Sequence, residues 1–319
     1  MKKLVIAGAA ALLMMTGCAS LNSQKALQAG AAAVQAFTIT DAQVSSLCKE
    51  YMVQTDGENT ILPADNSYTK RLANIMAKFK NIGDMNVNYK VYQSNTVNAF
   101  ASGDGSIRVY SGLMDVMDDE EIFAVIGHEL GHVKNKDVRD AYRQSYLIVA
   151  ARYGISAWNQ TAGALSEGLL GDFAQQLASN AYSRRQEYEA DEAAFQFCLT
   201  NGVNPYAMYN ALNVLIALSG NNGTQGIVAQ MFSTHPDSAK RAARIKEMAD
   251  AAGKGGEQKP LNDMTVTTKA NSNGTVTVSV GNKKSGTTTN NISGGSTTGG
   301  KVSGGSTTGG SNPIKIKKG

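Results

Sequence analysis

Nowhere in this chain of 319 residues do eighteen apolar residues run together, so no segment reads as a permanent transmembrane helix. Cysteine is scarce. Cys18 lies beside a leader-like stretch, and only Cys48 and Cys198 remain for the body of the chain, too few for disulfides to replace an apolar core. Those two either pair or stand as buried thiols, and spacing alone does not decide between the two. Histidine is equally rare at three residues, so imidazole chemistry would have to use nearly all of them. Charge of one sign is missing as well. The net value of +4 is misleading, because nine lysines against Glu257 and Asp263 put +7 beyond Gly253 and leave −3 for the rest. A basic nucleic-acid surface is therefore not expected, and no nucleic-acid partner with it.

What is present begins with Lys2, Lys3 and an apolar run over 4–15, the pattern of a secretory signal peptide. Its end, Met15-Thr16-Gly17-Cys18, resembles a bacterial lipobox, which predicts a lipoprotein signal peptide over 1–17 and lipidation of Cys18; a plain cleaved leader or an uncleaved anchor is the alternative. Residues 18–40, rich in Ala and Gln, then form a lipidated spacer, and membrane attachment runs through the N-terminal lipid. Ala19 and Ser20 follow the cysteine with no aspartate to retain the protein at the inner membrane. The expected location is the cell envelope, lipid-anchored at the outer membrane and facing the periplasm. At the other end, 253–319 is a basic Gly/Ser/Thr-rich low-complexity tail in which SGGSTTGG occurs twice. It reads as a solvated linker or as an arm that touches polyanions or cell wall. Within it, MTVTTK and TVTVSV flank Asn273-Gly274, which allows one hairpin, marginal by itself.

Between the ends, residues 41–252 form one domain. Apolar residues recur at helical spacing over 41–51 and 67–79, and then the period changes to two at Val87, Tyr89 and Val91. TVNAFAS and SIRVYS, with Gly103-Asp104-Gly105 between them, read as further strands of a small antiparallel sheet. Asp118 with Glu121 three residues on makes a capping box for the next helix. More helices are expected at roughly 138–157, 163–180, 181–200, 205–219 and 236–250. The predicted class is α+β, mostly helical, with one small antiparallel sheet next to the helix that follows Asp118.

That helix carries HELGH, with His128, Glu129 and His132. Residues four apart on a helix lie about 40° apart around the axis and about 6 Å along it, so both imidazoles can meet one cation while Glu129 reaches a water beside it. Three histidines in the chain make H-E-x-x-H an event on the order of one in a thousand by chance. A bound zinc would lower the pKa of water toward about 7 and polarise a carbonyl, and Glu129 would carry the proton to the leaving amine. A catalytic site needs a third protein ligand. In SRRQEYEADEAAF, Glu187 and Asp191 are again four apart; Glu187 can bind the metal and Asp191 can accept the free N–H of a ligand histidine.

HELGH, EYEAD and THPDSAKR together, with TVNAFASGDGSIRVYSGLMD upstream, resemble the gluzincin zinc metallopeptidase family of the CAAX prenyl endopeptidases and HtpX. Within it the layout is most similar to the soluble envelope lipoprotein and periplasmic members, over roughly 41–248. The resemblance implies a zincin-type metalloprotease domain with one zinc ion per chain, His128, His132 and Glu187 as ligands, Asp191 behind them, and Glu129 as general base. It implies that the strand at Asn98, Ala99 and Phe100 adds an extended substrate, a mode that reads main chain and tolerates many sequences. His235, in the H-P pair, either steadies the oxyanion or plugs the open metal position, and Arg241 belongs to the same region. The implied function is an endopeptidase for exposed, misfolded or misassembled envelope proteins in protein quality control. The alternative is a chaperone or scaffold working with the outer-membrane assembly machinery. Lacking the membrane helices of the CAAX and HtpX branches, the chain is not expected to cut lipid-embedded substrates, and its tail inherits no role.

Overall fold

The computed structural model describes residues 41–79, 87–153, 167–270, 276–283 and 288–293. The expected leader, Cys18 and the spacer lie outside the described residues, as does the chain beyond 293. In order come α1 (Asp41–Glu58), α2 (Ser67–Met76), β1 (Asn88–Tyr92), β2 (Ala99–Ala101), β3 (Ser106–Tyr110) and α3 (Ser111–Val116). They are followed by α4 (Asp119–Lys134), α5 (Asp137–Tyr153), α6 (Glu167–Ala178), α7 (Arg184–Asn201), α8 (Ala207–Ser219), α9 (Gln225–Thr234) and α10 (Ser238–Ala252). A second sheet closes the described chain: β4 (Met264–Ala270), β5 (Val276–Asn282) and β6 (Thr288–Ser293). The class is the α+β, mostly helical one that the periodicities predict.

One expectation needs correcting: the first sheet is mixed, not antiparallel. Its order is β1-β3-β2, with β1 parallel and β2 antiparallel to β3. Period-two patterning fixes which face of a strand is buried but not its direction, and here the chain passes from β1 to the far edge before the β2–β3 hairpin brings it back to the middle. The passage is tightly held. Ser94 O accepts from Gly112 N at 2.8 Å and from Ser111 Oγ at 2.9 Å, and a Cβ on Gly112 would lie 2.6 Å from the backbone of Asn95 and Thr96. Glycine is required there by the approach of the chain. The outer edge of β1 is taken by Thr60 and Leu62, whose backbones bond Gln93 and Val91; β2 forms the other edge, beside α4.

Helix α4 starts with the predicted capping box: Asp118 accepts from the N–H of Glu120 and Glu121, and Glu121 Oε2 accepts from Asp118 N at 2.9 Å. From Glu121 to His132 every residue is buried, as expected of a helix enclosed on all sides. It packs most extensively on α7. A Cβ on Gly131 would come within 2.9 Å of Ala193 Cβ and 3.0 Å of Ala190 Cα, so the two helices approach at glycine and alanine. A smaller apolar cluster joins α1, α5 and α6 around Leu47, Tyr142, Tyr146 and Phe173. Cys48 belongs to it, Cys198 belongs to the main core, and both are free and buried. Burial pushes their thiols up to about 11 and about 12, which makes them poor nucleophiles. No described helix is long and apolar enough to cross a membrane.

The hairpin in the tail is present as β4–β5, and it does not stand alone. β6 extends it, and Met264, Val278 and Val280 join the main core. A strap leads into it: Asn204 and Asn210 donate to Glu257 O at 2.8 and 2.9 Å, and Asn213 donates to Lys259 O at 3.0 Å. Lys259 Nζ then reaches both acids of the α4 capping box, Asp118 and, at 2.8 Å, Glu121 Oε1.

Candidate metal centre

The i, i+4 spacing on α4 places His128 Nε2 3.1 Å from His132 Nε2. Because α7 crosses α4 at Gly131, Glu187 arrives from the first turn of α7 with Oε1 3.4 Å from His132 Nε2. The turn after α9 adds His235, whose Nδ1 lies 3.3 Å from His128 Nε2 and 3.0 Å from Glu187 Oε1. One donor atom from each of these four buried residues lies within 4.8 Å of the others. Zinc at about 2.0–2.2 Å from nitrogen and oxygen in a tetrahedron needs donors about 3.3–3.6 Å apart. The set fits, in spacing and in donor type. Charge agrees: Glu129, Asp137, Glu187 and Asp191 are all buried, and among the described residues only Arg241 stands with them as a fixed buried cation, a surplus of negative charge that a dication balances.

The outer partners orient the rings. Asp191 Oδ1 lies 2.9 Å from His128 Nδ1, and Asp137 Oδ2 lies 2.9 Å from His132 Nδ1. Each Nδ1–H donates to a carboxylate, which turns the Nε2 lone pairs inward. Arg241 grips Asp191 with Nε at 2.8 Å and Nη2 at 2.6 Å, and its Nη1 also touches Glu187 Oε2. Burial lowers the pKa of His128. Burial alone would do the same to His132, but Asp137 and Glu187 outweigh it and push that ring up to about 9. Against a burial cost, His132 and His235 hold Glu187 below the usual carboxylate range, and Arg241 does so for Asp191.

Glu129 points to the same space. Its Oε1 is buried without a hydrogen-bond partner, 3.6 Å from His235 Nε2. Beside Glu129 and His235 opens a narrow apolar cavity walled by Val125, Met208, Leu212, Leu215 and Met231.

The structure therefore gathers His128, Glu129, His132, Glu187, Asp191, His235 and Arg241 in one place. Asn98, Ala99 and Phe100 lie on and just before the edge strand β2 that flanks α4, with Asn98 O accepting from Tyr110 N at 3.0 Å. Two participants were missed from sequence. Asp137 starts α5 and folds back onto His132 through Lys136, a non-glycine residue at φ 67°. Tyr182 stacks on His132, ring centroids 3.8 Å apart and 13° from coplanar. An acid five residues after the second histidine was the available signal for Asp137; nothing in the pattern around Tyr182 marked it.

Comparison with known proteins agrees with this geometry. Residues 63–249 match the family described as peptidase family M48. Metalloprotease LoiP of Escherichia coli is 39% identical over 241 residues, covering 75% of this chain and 94% of that protein. Metalloprotease YcaL of the same organism is 38% identical over 256 residues, 79% of this chain and 98% of its own length. A protease HtpX homolog from Methanopyrus kandleri is 30% identical over 183 residues, 48% of this chain and 56% of its own.

Proposed function

The chain belongs to peptidase family M48 and is a zinc-dependent metalloendopeptidase, and from that premise we propose that it cuts exposed segments of misfolded or misassembled envelope proteins, with Glu129 as general base and His235 as a plug on the metal site. The observation that carries this reading is the placement of His128 Nε2, His132 Nε2 and Glu187 Oε1 around one point, with His235 Nδ1 on the remaining side.

Zinc held there supplies Lewis acidity and a nucleophile at neutral pH. The side chains divide the remaining work. Glu129 has a buried carboxylate oxygen without a hydrogen-bond partner, suited to taking a proton from the attacking water and delivering it to the departing amine. Asp191 and Asp137 hold the two ligand imidazoles in the tautomer that binds metal. His235 lies where water or a carbonyl must enter, so substrate has to displace it. Strand β2, with Asn98, Ala99 and Phe100, offers a main-chain edge for an extended substrate. Cys18 as lipid anchor places the enzyme on the outer membrane, facing the periplasm, where such substrates arise.

The test is Glu129→Gln. The purified variant is expected to keep its zinc and to lose cleavage of unfolded casein by at least about a hundredfold; unchanged cleavage would remove Glu129 from its role. His235→Ala is expected to raise turnover several-fold, whereas a fall would recast His235 as a group that steadies the transition state. The closed site also suits a chaperone or scaffold for outer-membrane assembly that binds extended chains and seldom cuts them. In that case His235→Ala stays inert.

A further inference from the structure

Between α6 and α7 the chain touches the metal site at one residue that the peptidase chemistry leaves without a task. Tyr182 lies face to face with His132, at 3.8 Å between centroids. Its main-chain N–H donates to Thr234 O at 3.1 Å, and Thr234 is the residue before His235. The Tyr182 and His235 rings are 5.4 Å apart. The next residue, Ser183, caps α7 by accepting from Gln186 N, and Gln186 Nε2 in turn donates to Asp137 at 3.0 Å. One short segment thus leans on a ligand imidazole, on the partner of that imidazole and on the turn that carries the plug.

We propose that Tyr182 is a positioning residue for two imidazoles at once: its ring holds His132 in the orientation that binds metal, and its main chain tethers the His235 turn over the site. The tether half rests on the reading of His235 as a plug; the stacking half does not. Stacking fixes the one rotation that the Asp137 hydrogen bond leaves loose, because a single hydrogen bond at Nδ1 sets direction but not the tilt of the ring. A flat ring in van der Waals contact removes that tilt. A smaller apolar side chain without a flat face leaves the ligand free to rock. Movement of the ring segment is passed to Thr234 through the backbone bond, so loosening Tyr182 also loosens the plug.

The experiment compares Tyr182→Leu with Tyr182→Phe in the full zinc-loaded chain. The rate of zinc transfer to a chromogenic chelator is the first readout. Tyr182→Leu is expected to release zinc about tenfold faster, with Tyr182→Phe restoring the slow rate and the melting temperature of the zinc-free proteins nearly constant across the three. Equal release rates for Tyr182→Leu and the parent overturn the stacking role, and a Tyr182→Phe as fast as Tyr182→Leu overturns it as well. The second readout is turnover of a fluorogenic peptide by Tyr182→Leu, His235→Ala and the double variant. If Tyr182 acts on the plug, Tyr182→Leu changes turnover per bound zinc in the same direction as His235→Ala and adds nothing in its presence. Additive effects overturn the tether. If His235→Ala alone leaves turnover unchanged, the plug reading fails by itself, and the chelator measurement still decides the stacking role.

Discussion

At the scale of single residues, the site divides into side chains whose role is readable from spacing and side chains whose role depends on a turn. His128, Glu129 and His132 share one helix, so the 3.6-residue repeat alone aims them. Glu187 and Asp191 repeat the same spacing on α7, which is why both were legible once the histidine pair was seen. Asp137 was not, because its reach to His132 depends on Lys136 adopting a left-handed backbone, a conformation that no local pattern around a lysine predicts. Asp137→Ala is expected to weaken zinc binding about 10–100-fold by freeing the His132 ring. Competition with a chelator measures it, and unchanged affinity would show that the Asp137 hydrogen bond is not needed to orient the ring.

Between elements, the decisive contact is α4 against α7. Neither helix carries the site alone: α4 supplies two nitrogens and Glu129, α7 the Glu187 carboxylate, and they meet because Gly131, Ala190, Ala193 and Ala194 leave no side chain in the way. The added methyl of Gly131→Ala would face the backbone of α7, which cannot swing aside as a flexible side chain would. A loss of about 1–3 kcal/mol is expected, together with lowered zinc content as Glu187 is carried off. Thermal melting and metal analysis of the purified variant check this; wild-type values for both would mean that α7 slides along α4 at no cost. The existence of most helices was legible from apolar spacing. The direction of β1 was not, because alternation is the same in parallel and antiparallel pairs. Helix α9 escaped notice because its ten residues after Asn221-Asn222-Gly223 carry a short apolar stripe with no side-chain cap.

For the molecule as a whole, composition misled where a few alternating valines mattered more than the surrounding glycine and threonine. Val278 and Val280 give β5 an apolar face, and the strap before β4 ties it to α8 and to the start of α4. Burial and the charge of Asp118 push Glu121 up to about 7, with Lys259 opposing them. A carboxyl raised in the folded state stabilises at low pH and loses that contribution as pH rises through its folded value. Lys259→Met raises Glu121 further, so its cost should approach about 3 kcal/mol at pH 8 and shrink toward pH 5; denaturant melts at the two pH values read it, and a penalty independent of pH would contradict the pairing. The ion pair between Lys259 and Glu121 spans 138 residues of sequence, and every side chain assigned to the metal is synthesised before that lysine. A chain leaving the ribosome therefore presents its whole cutting apparatus before the last fastening of α4 has been made.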